Sequence, residues 1–455
     1  VSDPSPPIRN RDDLLAPFWE AMRPSAAHRI GVESEKFGVV EASGAPIHYE
    51  RHVVPLFEAL SRDAGWQPLA ERTGGPVIAL ERQDEHGRVS ITLEPGAQLE
   101  LSGAPVADLH AVRAELDAHL AELAAPSAEQ GITWLSLGFH PLARPDELGW
   151  VPKERYAIMR EYFPRVGGRG LDMMRRTATV QVNLDYADES DALRKLRVAL
   201  RLSPLVTAMF ANAPFVEGAV TGRKSERAAV WLDVDPDRTG LLPAMLSDDA
   251  TLEDYVDWAL AAPMYLFKRD GRVVANTGQA FRSFWQDGWH GERASIADWE
   301  LHLNTLFPEV RLKRTLELRG ADAQSRALHG ALPALGVGLL YDARALDEAE
   351  ALSGDFTHDE LLRLRPEVVR HGLEAPFRGA PLRGLAEEVV AIALGGLERR
   401  ARPDATGADE RRHLEPLARL VERGRSPADL LLADLDAGFE VGADRRAEIL
   451  RRSAV

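Results

Sequence analysis

Four stretches of this chain alternate oily and polar side chains. In RIGVESEKF, Ile30 and Val32 take one parity while Glu33 and Glu35 take the other. In SITLEPGAQLELSG, Ile91 and Leu93 oppose Thr92 and Glu94; past the Pro95–Gly96 bend, Leu99 and Leu101 oppose Gln98 and Glu100. TATVQVNLDY sets Ala178, Val180, Val182 and Leu184 against Thr177, Thr179, Gln181, Asn183 and Asp185. RTLELRGAD sets Leu316 and Leu318 against Thr315, Glu317 and Arg319. Residues two apart in a strand share a face, so each stretch predicts a strand with one apolar face and one rich in oxygen. For any one strand alone, a solvated outer face accounts for the pattern, since antiparallel sheets commonly bury a single face.

Other stretches follow the helical period. DDLLAPFWEAM predicts a short opening helix, and residues 106–125 place Leu109, Val112, Leu116, Leu120 and Leu123 on one stripe. RKLRVALRLSPLVTAMFANAPF predicts another helix, which Pro204 should kink or divide, because proline removes a backbone donor. From about Asp347 strand signals fade into helical patterns, with RARPDATGADERR as a polar loop between two of them. The expected organisation is α+β: a loose Pro-rich tail over 1–10, a catalytic domain over 11–345, and a helical C-terminal region over 346–455 packed on it.

Composition narrows the function. The chain has 455 residues, 45% hydrophobic and 28% charged, ordinary for a globular enzyme with a large core. A net charge of −16 argues against a nucleic-acid partner, which needs a basic surface. The absence of cysteine removes disulfides, thiolate nucleophiles and cysteine-bound zinc, and leads us to expect a cytoplasmic protein. No apolar run approaches the roughly 18 residues of a membrane span. Familiar chemical motifs fail as well: there is no Walker A sequence, no GxGxxG after a strand and no HExxH. DVDPDRTG resembles a calcium loop only superficially, because Arg238 and Ala244 stand where that loop needs Gly and Glu. His140 and His302 read as structural.

The sign of the polar faces changes the picture. Glu33, Glu35, Glu94 and Glu100 come with few cations between them, and carboxylates gathered on one concave face repel unless a cation neutralises them. Oxygen-only ligands favour Mg²⁺ or Mn²⁺. At ~3.3 Å rise per residue, Glu33 and Glu35 sit ~6.5 Å apart. That spacing suits two ions ~3.5–4 Å apart better than one. Magnesium held in this way commonly also takes phosphate oxygens, so the acidic face predicts a metal–nucleotide site.

Six motifs in order, GVESEKFGV, LEPGAQLELSGAP, PKERYAIMR, GLDMMRRTATVQVNLDY, VWLDVDPDRTG and LHLNTLFPEVRLKRTLELRGAD, resemble those of plant-type and proteobacterial glutamate–cysteine ligases over residues 28–342. The resemblance implies a glutamine-synthetase-like fold, an antiparallel sheet curled into a funnel with helices outside. It implies that Glu33, Glu35, Glu94, Glu100, Gln181 and Glu317 form a shell for two or three Mg²⁺ ions, or Mn²⁺, and for phosphate. Arg155, Arg227 and Arg319 are similar to arginines that handle glutamate carboxylates or nucleotide phosphates, and are the expected catalytic residues. Arg238, Lys313 and Asn183 join Arg155 and Arg227 as expected substrate- and nucleotide-binding residues. The implied reaction uses ATP to convert glutamate to γ-glutamyl phosphate, which cysteine attacks to give γ-glutamylcysteine, ADP and phosphate, the first step of glutathione biosynthesis. Partners are then small molecules (glutamate, cysteine and ATP), with no nucleic acid or membrane, and the protein a monomer or homodimer. A γ-glutamyl ligase with another amine acceptor, and a non-catalytic glutamate- or nucleotide-binding relative, remain as alternatives. The chain departs from relatives at Ala178, where cysteine is frequent, and at Ala280, where many have a hydroxyl; without cysteine it has no disulfide switch of the plant kind.

Overall fold

The computed structural model describes residues 5–438 and 445–455. Nine strands make its main sheet: β1 (Ile30–Val40), β2 (Gln67–Ala70), β3 (Val77–Gln83), β4 (Arg88–Leu93), β5 (Leu99–Ser102), β6 (Ile132–Leu135), β7 (Val180–Leu184), β8 (Val310–Leu312) and β9 (Leu316–Leu318). They run in the order β8-β9-β7-β1-β5-β4-β3-β2, with β6 on the far half of β1, and every pairing is antiparallel.

Register turns four separate alternations into one surface. Glu33 lies opposite Gln181, Glu35 opposite Glu100, Glu100 opposite Thr92, and Glu317 opposite Asn183. Directly paired residues share a face, so the oxygen-bearing side chains of five strands gather together. Ile30, Val32, Ile91, Leu93, Leu99, Leu101, Val180, Val182, Leu184, Leu316 and Leu318 are all buried on the other face. A one-residue slip would drive the carboxylates into that core, and this fixes the register.

Helices cover the sheet: α1 (Arg11–Trp19), α2 (Leu109–Glu129), α3 (Glu154–Tyr162), α4 (Gly170–Arg176), α5 (Glu189–Met209), α6 (Glu226–Trp231), α7 (Ala331–Leu340), α8 (His358–His371) and α9 (Arg383–Arg400) are those that matter to the site and its support. Every residue of α7 is buried, and it lies on β7. α9 crosses α7 backbone to backbone: a Cβ on Gly396 would fall 2.0 Å from the Gly338 carbonyl oxygen, so only glycine permits the approach. The helices between residues 358 and 422 share one continuous core with the sheet, in which Leu184, Leu335, Val389 and Leu417 all take part.

Three details differ from expectation. α5 runs through Pro204 without a break, because the Ser203 hydroxyl donates to the Leu200 carbonyl at 2.9 Å, the acceptor that a Pro204 N–H would have used. In α2 the buried stripe includes His119, while Leu120 is only half-buried. Of the expected tail, residues 1–4 lie outside the described residues. The rest is docked rather than loose: Ile8 is buried and donates its N–H to the Ala294 carbonyl at 3.1 Å, and Pro6 accepts from Ile296 at 3.0 Å.

Candidate active site

A cavity of about 340 Å³ opens on the polar face of the sheet. Glu33, Glu35, Glu94, Glu100 and Gln181 form one wall, Arg311 on β8 and Arg319 at the end of β9 border it on the same sheet, and Arg155 and Arg227 enter from helices. Tyr156, Met159, Met173, Met174, Tyr265 and Phe307 add an apolar patch to the lining.

The acidic wall holds charges that repel one another. Glu33 accepts from the Asn183 side-chain amide at 3.1 Å, Glu35 from the Thr179 backbone N–H at 3.0 Å, and Glu100 from the Thr92 hydroxyl. These bonds do not offset the surroundings. Burial, then the neighbouring Glu317, raises the Glu33 pKa; burial, then Glu100 and Glu94, pushes Glu35 well up. Burial, then Glu33 and Glu94, lifts Glu100 to about 8. Among the described residues, no three His, Asp or Glu side chains already converge as a shell around one metal ion. The chemistry of the donors nonetheless fits a hard divalent cation: the ligand atoms are oxygens facing one cavity, and Glu33, Glu35 and Glu100 are each destabilised by neighbouring carboxylates that a cation would reconcile.

Glu317 is placed differently from the other acids. It is fully buried behind the wall, where Arg311 grips it through two bonds of 2.6 and 3.0 Å, Arg319 approaches to 2.6 Å and Lys313 to 3.4 Å. Burial alone would raise its pKa, but Arg311, Lys313 and Arg319 overcome it and hold the carboxyl well below the usual range. Arg319 also donates to Gln181, so one guanidinium joins two of the predicted oxygen ligands.

Arg227 sits on the short helix α6, whose start is capped by Ser225: its hydroxyl accepts the Ala228 N–H at 3.0 Å. Arg227 is buried, and it donates to the Arg319 carbonyl at 2.8 Å. Arg155 is exposed at the rim, with its guanidinium 5.1 Å from the Tyr156 ring centre. Lys313 and Asn183 stand just behind the lining: Lys313 donates to the Asn304 side chain at 3.2 Å, and Asn183 bridges Glu33 and the Thr315 hydroxyl. Arg238 is the exception. It is wholly buried away from the cavity, paired with Asp235 at 2.6 Å, bonded to the Pro263 and Thr305 carbonyls, and stacked 3.9 Å from the Tyr265 ring centre. With its donors committed there, Arg238 supports the wall and does not reach a ligand in the cavity.

Sequence reasoning did not single out Arg311. Its signal was present, since Val310 and Leu312 flank it with strand parity just before the β9 segment. Trp231, Tyr265 and the methionines come from helices and loops, where periodicity says nothing about a cavity.

The family model described as glutamate-cysteine ligase family 2 matches residues 29–451. The chloroplastic glutamate–cysteine ligase of Brassica juncea is 43% identical over 425 residues, 93% of this chain and 80% of the relative. That of Medicago truncatula is 42% identical over 437 residues, 95% of this chain and 84% of the relative. Among solved structures, the glutamate–cysteine ligase of Francisella tularensis in complex with AMP superposes with a TM-score of 0.57 at 13% identity, covering 94% of this chain and 87% of that one. The expected fold class, an α+β glutamine-synthetase-like antiparallel sheet with helices outside, is the one observed. The cytoplasmic expectation is corrected: the curated relatives named above are chloroplastic and lend it no support. A lack of cysteine forbids disulfides in this chain but does not distinguish one compartment from another.

Proposed function

The chain belongs to glutamate-cysteine ligase family 2 and is a ligase, and from that premise we propose that it joins the γ-carboxylate of L-glutamate to the amine of L-cysteine, converting ATP to ADP and phosphate. The observation that carries this reading is the meeting of four mutually repelling carboxylates and four arginines in one cavity. The acids suit divalent cations, and the guanidinium groups suit the carboxylate and phosphate oxygens of the substrates.

In this reading Glu33, Glu35, Glu94 and Glu100, with Gln181, hold two or three Mg²⁺ or Mn²⁺ ions. Glu317 would join them only if Arg311 as well as Arg319 released it. When bound, the ions neutralise the triphosphate and align its γ-phosphoryl group for in-line transfer. Arg227 holds the glutamate α-carboxylate, so that only the γ end faces the phosphorus. Arg155 and Arg319 offset the charge of carboxylate and triphosphate, two anions that otherwise repel at contact. A γ-carboxylate oxygen bonds to the γ-phosphorus as the bond to ADP breaks, giving γ-glutamyl phosphate. The cysteine nitrogen then bonds to the activated carbonyl carbon, phosphate departs with the C–O electron pair, and the amine proton is released. The apolar part of the cavity, with Met159, Met173, Met174 and Phe307, keeps water from the acyl phosphate and offers a flat surface for the adenine ring.

Hydroxylamine tests the intermediate. With glutamate, ATP and Mg²⁺ it should give γ-glutamyl hydroxamate and ADP in equal amounts; none at saturating Mg²⁺ would overturn the acyl-phosphate route. A mass spectrum of products from a panel of amines should show cysteine as the preferred acceptor, and a stronger product with another amine would overturn that choice.

A further inference from the structure

We propose that Asp322 is a positioning residue, which fixes Arg227 in the orientation that captures the glutamate α-carboxylate. The inference rests on the reading of Arg227 given above. Asp322 is 2% exposed and does not line the cavity, so it acts only through its neighbours. Its Oδ2 accepts the Asn212 backbone N–H at 2.7 Å and its Oδ1 accepts the Ser225 hydroxyl at 2.9 Å. Arg227 Nη1 stands 3.9 Å from the same Oδ1. Arg227 Nη2 donates to the Arg319 carbonyl, so the guanidinium is held between a carboxylate on one side and a carbonyl on the other. Ser225 completes the link, because the hydroxyl that donates to Asp322 also caps the helix carrying Arg227.

The carboxylate is itself held in place. Thr179, next to the acidic wall, bridges to Asp322 in the backbone and donates its hydroxyl to the Ala321 carbonyl at 2.6 Å. A Cβ on Gly138 would lie 2.3 Å from the Asp322 Cγ, so the loop at Gly138 closes off the side where the carboxylate could otherwise swing. Burial raises the Asp322 pKa to about 6 against the opposing pull of Arg227, which leaves it ionised at neutral pH. A buried guanidinium without this partner would be both costly and free to reorient. The Asn212, Ser225 and Arg227 contacts converge on one side chain in the loop after β9.

A double-mutant cycle on the full-length enzyme tests the proposal. Asp322→Asn should raise the glutamate KM about tenfold with the ATP KM within about twofold of wild type. In an Arg227→Ala background the same substitution should add less than about twofold, because its effect passes through Arg227. If Arg227→Ala leaves the glutamate KM at the wild-type value, the assignment of Arg227 itself fails. If Arg227→Ala raises that KM and Asp322→Asn still adds its full effect, the reading of Arg227 stands and the inference about Asp322 is overturned. Should Asp322→Asn not fold, Ser225→Ala, which removes one bond to Asp322 but keeps the carboxylate, should raise the glutamate KM about threefold and selectively. An equal rise for both substrates, or none, overturns the proposal.

Discussion

At the scale of single residues, Glu35 and Glu317 show how two acids on one face come to play opposite parts. Glu317 is buried among Arg311, Lys313 and Arg319, so removing its charge strands cations in the interior. Glu317→Gln should cost about 3–5 kcal/mol of unfolding free energy, read by urea denaturation. Glu35 is half-buried among like charges, with its pKa pushed up by partial burial and then by Glu100 and Glu94. Glu35→Gln should therefore leave the metal-free protein as stable as wild type or more so, while ligation falls strongly. Equal losses of stability in the two variants would show that the wall and its backing are not electrically distinct. The acids of the wall were legible in the sequence because strand parity marks them. Asp322 and Arg311 were not picked out, since their roles depend on contacts between segments distant in sequence, such as Asp322 with Asn212 and Ser225.

At the scale of elements, parity identified β1, β4, β5, β7 and β9, yet it could not say which strands are neighbours. Only the pairing of β1 with both β5 and β7 sets Glu35 against Glu100 and Glu33 against Gln181. Register of this kind is fixed by burial of the opposite face, which is a property of the assembled sheet. α5 teaches the complementary lesson. Pro204 alone predicts a kink or a break; the helix is not divided there, and the residue before it supplies the missing donor locally, through the Ser203 hydroxyl on the Leu200 carbonyl. Ser203→Ala should then cost about 1 kcal/mol by leaving a buried carbonyl unpaired. In a Pro204→Ala background, where the backbone N–H returns, the same change should cost much less. Thermal melts of the four proteins measure this coupling, and an identical penalty in both backgrounds would remove the hydroxyl's role.

At the scale of the whole molecule, buried titratable groups set how stability responds to pH and to metal. His140, His302 and His329 are held down at about 3 and His413 at about 4, each chiefly by burial, against an ordinary value of 6.5. Below about pH 6.5 the unfolded chain takes up protons that the folded one refuses, so acidification destabilises the fold. The wall carboxylates act with the opposite sign. Glu100, at about 8 instead of 4.5, keeps its proton in the folded state while the unfolded chain has lost it, and Glu33 and Glu35 shift the same way. The Glu100 contribution is present below the ordinary carboxylate range and is lost as pH rises towards 8, and those of Glu33 and Glu35 fade in the same direction. Lys36, lowered to about 7 by burial, partly opposes this loss above neutrality, so the pH profile of the metal-free protein mixes several terms. The effect of Mg²⁺ separates them, because only ionised carboxylates bind it, and proton and cation then compete for the same oxygens. The Mg²⁺-induced rise in melting temperature should thus be small near pH 5 and grow steadily to pH 8, and Glu100→Gln should reduce both its size and its slope. A Mg²⁺ shift of equal size at every pH, or one untouched by Glu100→Gln, would mean that cations bind elsewhere and that the acidic wall has a different purpose.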